Sequence, residues 1–476
     1  MASWDTDRPN VVMIVADDLG PWALGCAGNP EIQTPSIDRM ASEGTRFTEF
    51  YCASPVCSPA RATLLTGQMP SAHGVHDYLD ARHVGADGHD FLGGQRLYTD
   101  DLANAGYRLG LVGKWHLGAN DRPRPGFVRW LAHGGGGGPY YGAPLYDQSG
   151  PVDEPGYVTD VLSDAACDFL EHESRTEDPF YLSLHYTAPH SPWKNNHPAE
   201  YTDLYRDCAF DSLPQEELHP WVPIVDGAPI GGEPDTRAAL EGYFAAVTAM
   251  DAGIGRVLSR LAHLGLDEHT VVIFTSDNGF SCGQHGIWGK GNATFPQNMY
   301  DESVKVPFIM RQPGRIPAGQ VSDALVSAYD VAATLRELCG IAQPHGYGPG
   351  RSFVPALMGQ QEQDRRERVV VFDEYGPVRM IRTRTHKYVH RYPHGPHELY
   401  DLIADPGERS NMIGSPGADA LSEGLHDQLN AWFQEHARVD VDGRTLPVSG
   451  AGQVDTVGPG RSPFPLATAF NTVPRY

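Results

Sequence analysis

The sequence predicts an α/β fold: a large, mostly parallel sheet flanked by helices on both faces, with a small α+β domain at its C-terminal end. Three observations predict it. Two short unbroken apolar runs, Val11–Ala16 and Val271–Phe274, read as strands buried on both faces, because a strand with one wet face alternates, and Phe180–Tyr186 reads as a further strand. Stretches of helical period lie between these runs, and strand–helix alternation builds parallel sheets. Two of the runs end on acids, Asp17-Asp18 and Asp277, at the edge where such sheets collect ligands.

Each element has its own signal. After the first strand, Thr34-Pro35 opens a short helix, with proline in the first turn and Gly44 as its stop. Pro59 suits another first turn and Gly67 another stop. Cys57 then sits at a helix N-terminus, with Arg61 one turn on along the same face. Asp100-Asp101 begin a helix that ends at Gly106 and leads into the strand Tyr107–Val112. Val158, Val161, Leu162, Ala165 and Phe169 place an amphipathic helix over residues 157–174. A long helix follows from Thr236 to Leu264, with apolar residues at 240, 244, 247, 250, 254, 258 and 261. From residue 367 the texture changes: Val369–Phe372, Met380–Arg382 and Lys387–His390 read as an antiparallel meander. A patternless tail rich in proline and glycine starts near 444. The expected division is 1–366 for the α/β domain and 367–476 for the small one, with no internal repeat.

Composition bounds the function. The chain has 476 residues, 40% of them hydrophobic and 20% charged, so it can bury a core and is not intrinsically disordered. Gly 53 and Pro 39 without period point to long loops, where sites are commonly built. A net charge of −24 argues against nucleic-acid or anionic-membrane partners. The densest basic run, Arg365-Arg366-Glu367-Arg368, reads as the cap of a surface strand. No apolar run is long enough to span a bilayer. The segment Met1–Arg8 lacks the plan of a signal peptide, so a cytoplasmic location is expected, or export if a leader has been removed. Seven cysteines (26, 52, 57, 167, 208, 282, 339) show no CxxC and no zinc spacing. They read as small buried hydrophobes, with Cys57 set apart.

The chemistry concentrates in a few places. Around Cys57-Ser58-Pro59-Ala60-Arg61, a helix N-terminus and a guanidinium together make an anion site. Taken alone, the segment also fits a plain capped helix with a buried cysteine, or a thiolate nucleophile. Asp17, Asp18, Asp277 and Asn278 offer hard oxygen donors without histidine or cysteine, which suits Ca²⁺ or Mg²⁺ rather than zinc. Adjacent residues of an ideal strand face opposite ways, so Asp17-Asp18 must lie where the strand breaks, as Leu19-Gly20-Pro21 supports. Lys114 and His116, two apart, project the same way from an extended segment. His190 follows a strand, between Pro189 and Pro192. Lys290 lies between glycines, the setting of a flexible surface lysine. His285 suits a substrate contact and ordinary packing equally well.

Cys-x-Pro-x-Arg followed by Leu65-Thr66-Gly67 resembles the segment by which type I sulfatases, members of the alkaline phosphatase-like superfamily, have a cysteine oxidised to formylglycine. Other segments fall in that family's order. They are Asp17-Asp18, Gly113-Lys114-Trp115-His116-Leu117-Gly118, Ala188-Pro189-His190, Thr275-Ser276-Asp277-Asn278-Gly279, Gly289-Lys290-Gly291 and Met299–Pro307. Ile381-Arg382-Thr383 and Glu398–Leu402 look like its small domain, so the resemblance covers residues 10–412.

The resemblance implies a sulfatase acting on sulfate esters, with a sulfated carbohydrate as the expected substrate class. It implies calcium (or magnesium) held by Asp17, Asp18, Asp277, Asn278 and an oxygen from modified Cys57. It implies catalytic roles for Cys57, Arg61, Lys114, His116, His190 and Lys290. Lys114 steadies the modified residue, His116 is the base, and His190 and Lys290 hold sulfate and assist the leaving oxygen. Lys114, His190, Lys290 and His285 are the expected substrate contacts. The aldehyde hydrates to a diol; one hydroxyl attacks sulfur and the other, losing its proton to His116, expels sulfate. A formylglycine-generating enzyme is the implied maturation partner. Two alternatives stay open: a phosphomonoester or phosphonate ester hydrolase on the same scaffold, and a non-catalytic calcium-dependent glycan-binding protein.

Overall fold

The structure, a computed structural model, describes residues 8–79, 88–225, 228–231, 235–360 and 369–465. Its large sheet contains β1 (Asn10–Ala16), β2 (Thr45–Phe47), β3 (Arg108–Lys114), β4 (Phe127–His133), β5 (Leu145–Asp147), β6 (Gly150–Val152), β7 (Phe180–His185), β8 (Thr270–Ser276), β9 (Phe308–Arg311) and β10 (Gln320–Ser322). The spatial order is β10-β2-β9-β8-β1-β7-β3-β4-β5-β6. The central strands β8-β1-β7-β3-β4 all run parallel. The flanks do not: β9 is antiparallel to β8 and β2, as are β5 to β4 and β6 to β5. The sheet is therefore mixed, with the expected parallel centre. Its flanking strands are too short to show a period in the sequence.

Both faces of the sheet are covered, as the unbroken apolar strands require. Along β1, Val11, Met13 and Val15 enter one core, and Val12, Ile14 and Ala16 the other. The first core takes in residues of α2 (Cys57–Thr66), α3 (Tyr98–Asn104) and α6 (Val331–Leu338). The second packs under α1 (Pro35–Ser42), α4 (Val158–Glu173) and α5 (Thr236–His263). Each fully buried Val, Leu, Ile or Phe contributes about 1.5–3 kcal/mol of transfer free energy. The Thr34 side chain makes no capping bond at α1. Asp251 of α5 does so instead, accepting from the backbone N–H groups of Ser36 and Ile37 at 3.0 and 2.7 Å.

The C-terminal meander is an antiparallel sheet of β11 (Val370–Tyr375), β12 (Val378–Arg382), β13 (His386–Arg391) and β14 (Glu398–Asp401), followed by helix α7 (Ala418–His436). One face of this sheet, through Val371, Ile381, Tyr388 and Leu399, packs on Leu425, Leu429 and Phe433 of α7. From the other, Phe372, Met380 and Val389 join the core that holds Val11 and Met13. The expected boundary at 366/367, the basic run 365–368 and residues 1–7 lie outside the described residues. The tail is strapped down: Gln453 bonds through its backbone N–H to Tyr78 O and through its side chain to the His76 N–H and Gly74 O. All seven cysteines are free. Among the described residues, no helix is long and apolar enough to cross a membrane.

Candidate active site

The site stands at the carboxyl ends of β1 and β8. These neighbours run in parallel with Ala16 opposite Ser276, so the residues that follow, Asp17 and Asp277, emerge side by side. β1 stops at Ala16, and Asp18 takes φ 67°, a left-handed conformation costing about 1–2 kcal/mol for a non-glycine residue. That turn lets consecutive aspartates serve one pocket. It is over-determined by neighbours: the Asp18 N–H donates to Asp277 Oδ1 at 3.3 Å, the Leu19 N–H to Asn278 O at 3.1 Å, and the Tyr243 hydroxyl to Asp18 O at 2.9 Å.

Helix α2 delivers Cys57 to the same place. Gly67 ends it at φ 70°, as the sequence predicts. The buried Cys57 thiol lies 3.4 Å from Asp17 Oδ1 and 2.8 Å from Lys290 Nζ. Three ion pairs surround it. Arg61 Nε meets Asp277 Oδ2 at 2.9 Å, Lys114 Nζ meets Asp17 Oδ2 at 2.6 Å, and Lys290 pairs with Asp18 Oδ1. Lys114 also donates to Gly136 O, and Arg61 Nη1 donates to Lys114 O at 3.1 Å. Lys290 is buried, not the mobile surface lysine that its glycine neighbours suggest. Asn298 holds its backbone, donating from Nδ2 to Lys290 O at 3.0 Å.

The histidines divide. His190 stands half-buried with Nε2 3.7 Å from Asp18 Oδ2, its carbonyl held by the Tyr140 hydroxyl at 2.8 Å. His116 is buried, but the expectation of an extended Lys114–His116 segment is corrected. β3 ends at Lys114 and His116 takes φ 55°, so the two side chains do not share a strand face. His116 Nε2 lies 3.1 Å from Leu79 O, and its buried Nδ1 has no partner among the described residues. His285 stacks on Tyr300 at 3.8 Å between centroids, with Nε2 3.3 Å from Glu302 Oε2. Those contacts are with packing neighbours rather than with the carboxylate cluster. Among the loop aromatics, Trp193 packs on Tyr243 and Phe280, and Tyr141 is 45% exposed.

Sequence reasoning reads one feature only as a variable loop and passes over two others. The run Gly134–Gly138 passes close to both imidazoles: a Cβ on Gly136 would lie 2.3 Å from His116 Cε1, and one on Gly137 2.4 Å from His190 Nδ1. Asn298 has no motif that separates it from other loop asparagines. The buried His185 contacts Arg61. Its signal was present, because Tyr181, Ser183 and His185 alternate along an otherwise apolar strand.

Electrostatics follow from burial. Burial pushes the Cys57 thiol up to about 12, which disfavours a thiolate nucleophile. For Asp277, burial alone would raise the pKa, but Arg61, Lys114 and Lys290 outweigh it and hold the carboxyl below its ordinary range. Burial, then Lys114, hold His116 well below the usual imidazole value, so it stays neutral. Oxygens of Asp17, Asp18 and Asp277 lie within 4.8 Å of one another. Asn278 Oδ1 is buried there with no hydrogen-bond partner among the described residues, an orphaned acceptor beside three carboxylates. This donor set fits a hard divalent cation. The three carboxylates and the three fixed cations cancel, so such an ion would leave the pocket positive, the sign an anionic ester requires.

Comparison with known proteins agrees with this geometry. The family model described as Sulfatase matches residues 9–341, and that described as N-sulphoglucosamine sulphohydrolase, C-terminal, matches residues 283–435. The chain is 28% identical to an N-acetylglucosamine-6-O-sulfatase of Bacteroides thetaiotaomicron, over 86% of this chain and 83% of that one. It is 31% identical to an ulvan-active sulfatase of Formosa agariphila, over 90% and 81%. A solved structure holding its substrate, D-glucosamine-2-N,6-O-disulfate, superposes with a TM-score of 0.78 at 26% identity, covering 91% of this chain and 99% of that one. The acid-ended strands and the Cys57 helix agree with these matches: the chain belongs to the sulfatase family, the formylglycine-dependent branch of the alkaline phosphatase-like superfamily, and is a sulfuric ester hydrolase.

Proposed function

We propose that this protein hydrolyses the sulfate ester of a sulfated saccharide, through a formylglycine made from Cys57 and a divalent cation, calcium or magnesium, held by Asp17, Asp18, Asp277 and Asn278. The observation that carries the reading is the convergence on Cys57 of three buried carboxylates, each matched to a buried cation, with an orphaned amide oxygen beside them. The relatives named above act on, or bind, sulfated sugars, which supports the saccharide class.

When present, the cation and the hydrated aldehyde supply charge to the sulfuryl oxygens and an attacking hydroxyl, respectively. The chain's own residues do the rest. Lys290 Nζ, 2.8 Å from the Cys57 sulfur, sits where it can hold a sulfuryl oxygen, and Lys114 fixes Asp17 and the glycine loop. His116 Nε2 donates to Leu79 O, which leaves Nδ1 as a bare acceptor for a proton from residue 57. In this reading His190, with Nε2 3.7 Å from Asp18 Oδ2, protonates the leaving alcohol. The balance is ester plus water giving alcohol plus hydrogen sulfate. His285, stacked on Tyr300, keeps only a proposed role as a substrate contact. Because Cys57 is buried in the folded chain, a formylglycine-generating enzyme would have to meet it before folding closes over it.

Matched aryl sulfate and aryl phosphate esters, assayed side by side on protein matured by that enzyme, test the reading. It predicts a larger kcat/KM for the sulfate. A larger value for the phosphate would favour the phosphoester alternative, and binding of sulfated glycans without turnover would favour the binding module.

A further inference from the structure

Beneath the site runs a chain of polar groups that neither the cation nor the proposed proton transfers use. Tyr181, Ser183 and His185 occupy alternate positions of β7 and so share one face of the strand. Tyr98 Oη lies 2.6 Å from Tyr181 Oη, Tyr181 Oη 2.9 Å from Ser183 Oγ, and Ser183 Oγ 3.1 Å from His185 Nε2. At the far end His185 Nδ1 is 3.2 Å from Arg61 Nη1 and 3.1 Å from Lys114 O. All four side chains are buried, in a core where an unpaired polar group is costly.

Counting donors and acceptors separates the two neutral states of the ring. Arg61 Nη1 carries two protons and has two acceptors in reach, Lys114 O and His185 Nδ1. A bare Nδ1 gives both Nη1 protons an acceptor, with Nε2–H donating to Ser183 Oγ; the other tautomer would instead donate Nδ1–H to Lys114 O at 3.1 Å. Burial and the adjacent guanidinium keep the ring neutral, with a pKa of about 3. Arg61 Nε is taken by Asp277, which leaves Nη2, buried and with no partner among the described residues, as its unspent donor edge.

We propose that His185 is a positioning residue for the sulfatase reaction: as a hydrogen-bond acceptor anchored through Ser183, Tyr181 and Tyr98, it fixes the guanidinium of Arg61 so that Nη2 remains free for the sulfuryl group at residue 57. The inference rests on the proposed function. Its kinetic test compares His185→Leu, which removes the acceptor, with His185→Asn, whose amide oxygen can replace Nδ1. A hydrogen bond to a charged group predicts that His185→Leu lowers kcat by about 10- to 100-fold with KM little changed, and that His185→Asn recovers most of the loss. Wild-type kcat in His185→Leu, or equal losses in both variants, would overturn the proposal.

A second readout is independent of turnover. In ¹⁵N-histidine spectra of the wild-type chain, with the His185 signals assigned by their loss in His185→Leu, the ring should keep a bare Nδ1 and a protonated Nε2 from about pH 5 to pH 9. A protonated Nδ1 in that range would also overturn it. If mature wild-type protein cleaves no sulfate ester, the proposed function fails, and the tautomer alone then decides the placement of Arg61.

Discussion

At the residue scale the site is a set of matched charges with one unmatched oxygen. Asn278 Nδ2 donates to Asp18 Oδ1 at 2.7 Å and to Gly279 O at 2.9 Å, while its Oδ1 has no partner among the described residues. If that oxygen is a cation ligand, Asn278→Ala should weaken calcium affinity by at least about tenfold, read by isothermal titration. It should also shrink the rise in Tm that calcium gives the wild type. An unchanged affinity would remove Asn278 from the proposed shell. Much of this scale was legible in advance. Asp17, Asp18, Asp277, Asn278, Cys57, Arg61, Lys114 and Lys290 carry specific motif spacings, and the structure brings all eight together. His116 was legible in identity but not in geometry, because a left-handed residue leaves no trace in a periodicity argument. His185 and Asn298 were not singled out, since each acts through a tertiary contact between segments distant in sequence.

At the element scale the strands that carry the site were easier to read than their partners. β1 and β8 are largely apolar runs and announce themselves, and β7 is apolar along one face, whereas β5, β6, β9 and β10 are three or four residues long and depend on their neighbours for pairing. Helix boundaries set by proline and glycine were legible to within about two residues. The cap of α1 was not, because its donors are satisfied from α5. Burial raises the Asp251 carboxyl to about 6. A folded-state pKa above the unfolded value means that the folded chain binds the extra proton in between, so this group's contribution to stability falls as pH rises towards 6. Asp251→Asn cannot titrate. Its stability relative to wild type, from denaturant melts, should therefore move in the variant's favour from about pH 4 to pH 7. A difference that is flat with pH, or moves the other way, would contradict the assignment.

At the scale of the whole molecule, the chain reconciles an acidic surface with an anionic substrate. Its net charge of −24 is spread over the molecule, and charges beyond about 8 Å are largely screened at physiological salt. Inside the pocket the carboxylates are already paired with Arg61, Lys114 and Lys290, so a divalent ion held there would set the sign of the field. The small sheet is continuous with this arrangement: its inner face completes the core under β1, and the tail braces the segment from His76 to Leu79 that holds His116. The central claim is that turnover belongs to the aldehyde at position 57. The direct measurement is specific activity on an aryl sulfate against the fraction of residue 57 converted, read by mass spectrometry across preparations matured to different extents. A proportional rise through the origin is predicted. Full activity in preparations whose residue 57 is still a thiol would contradict the account.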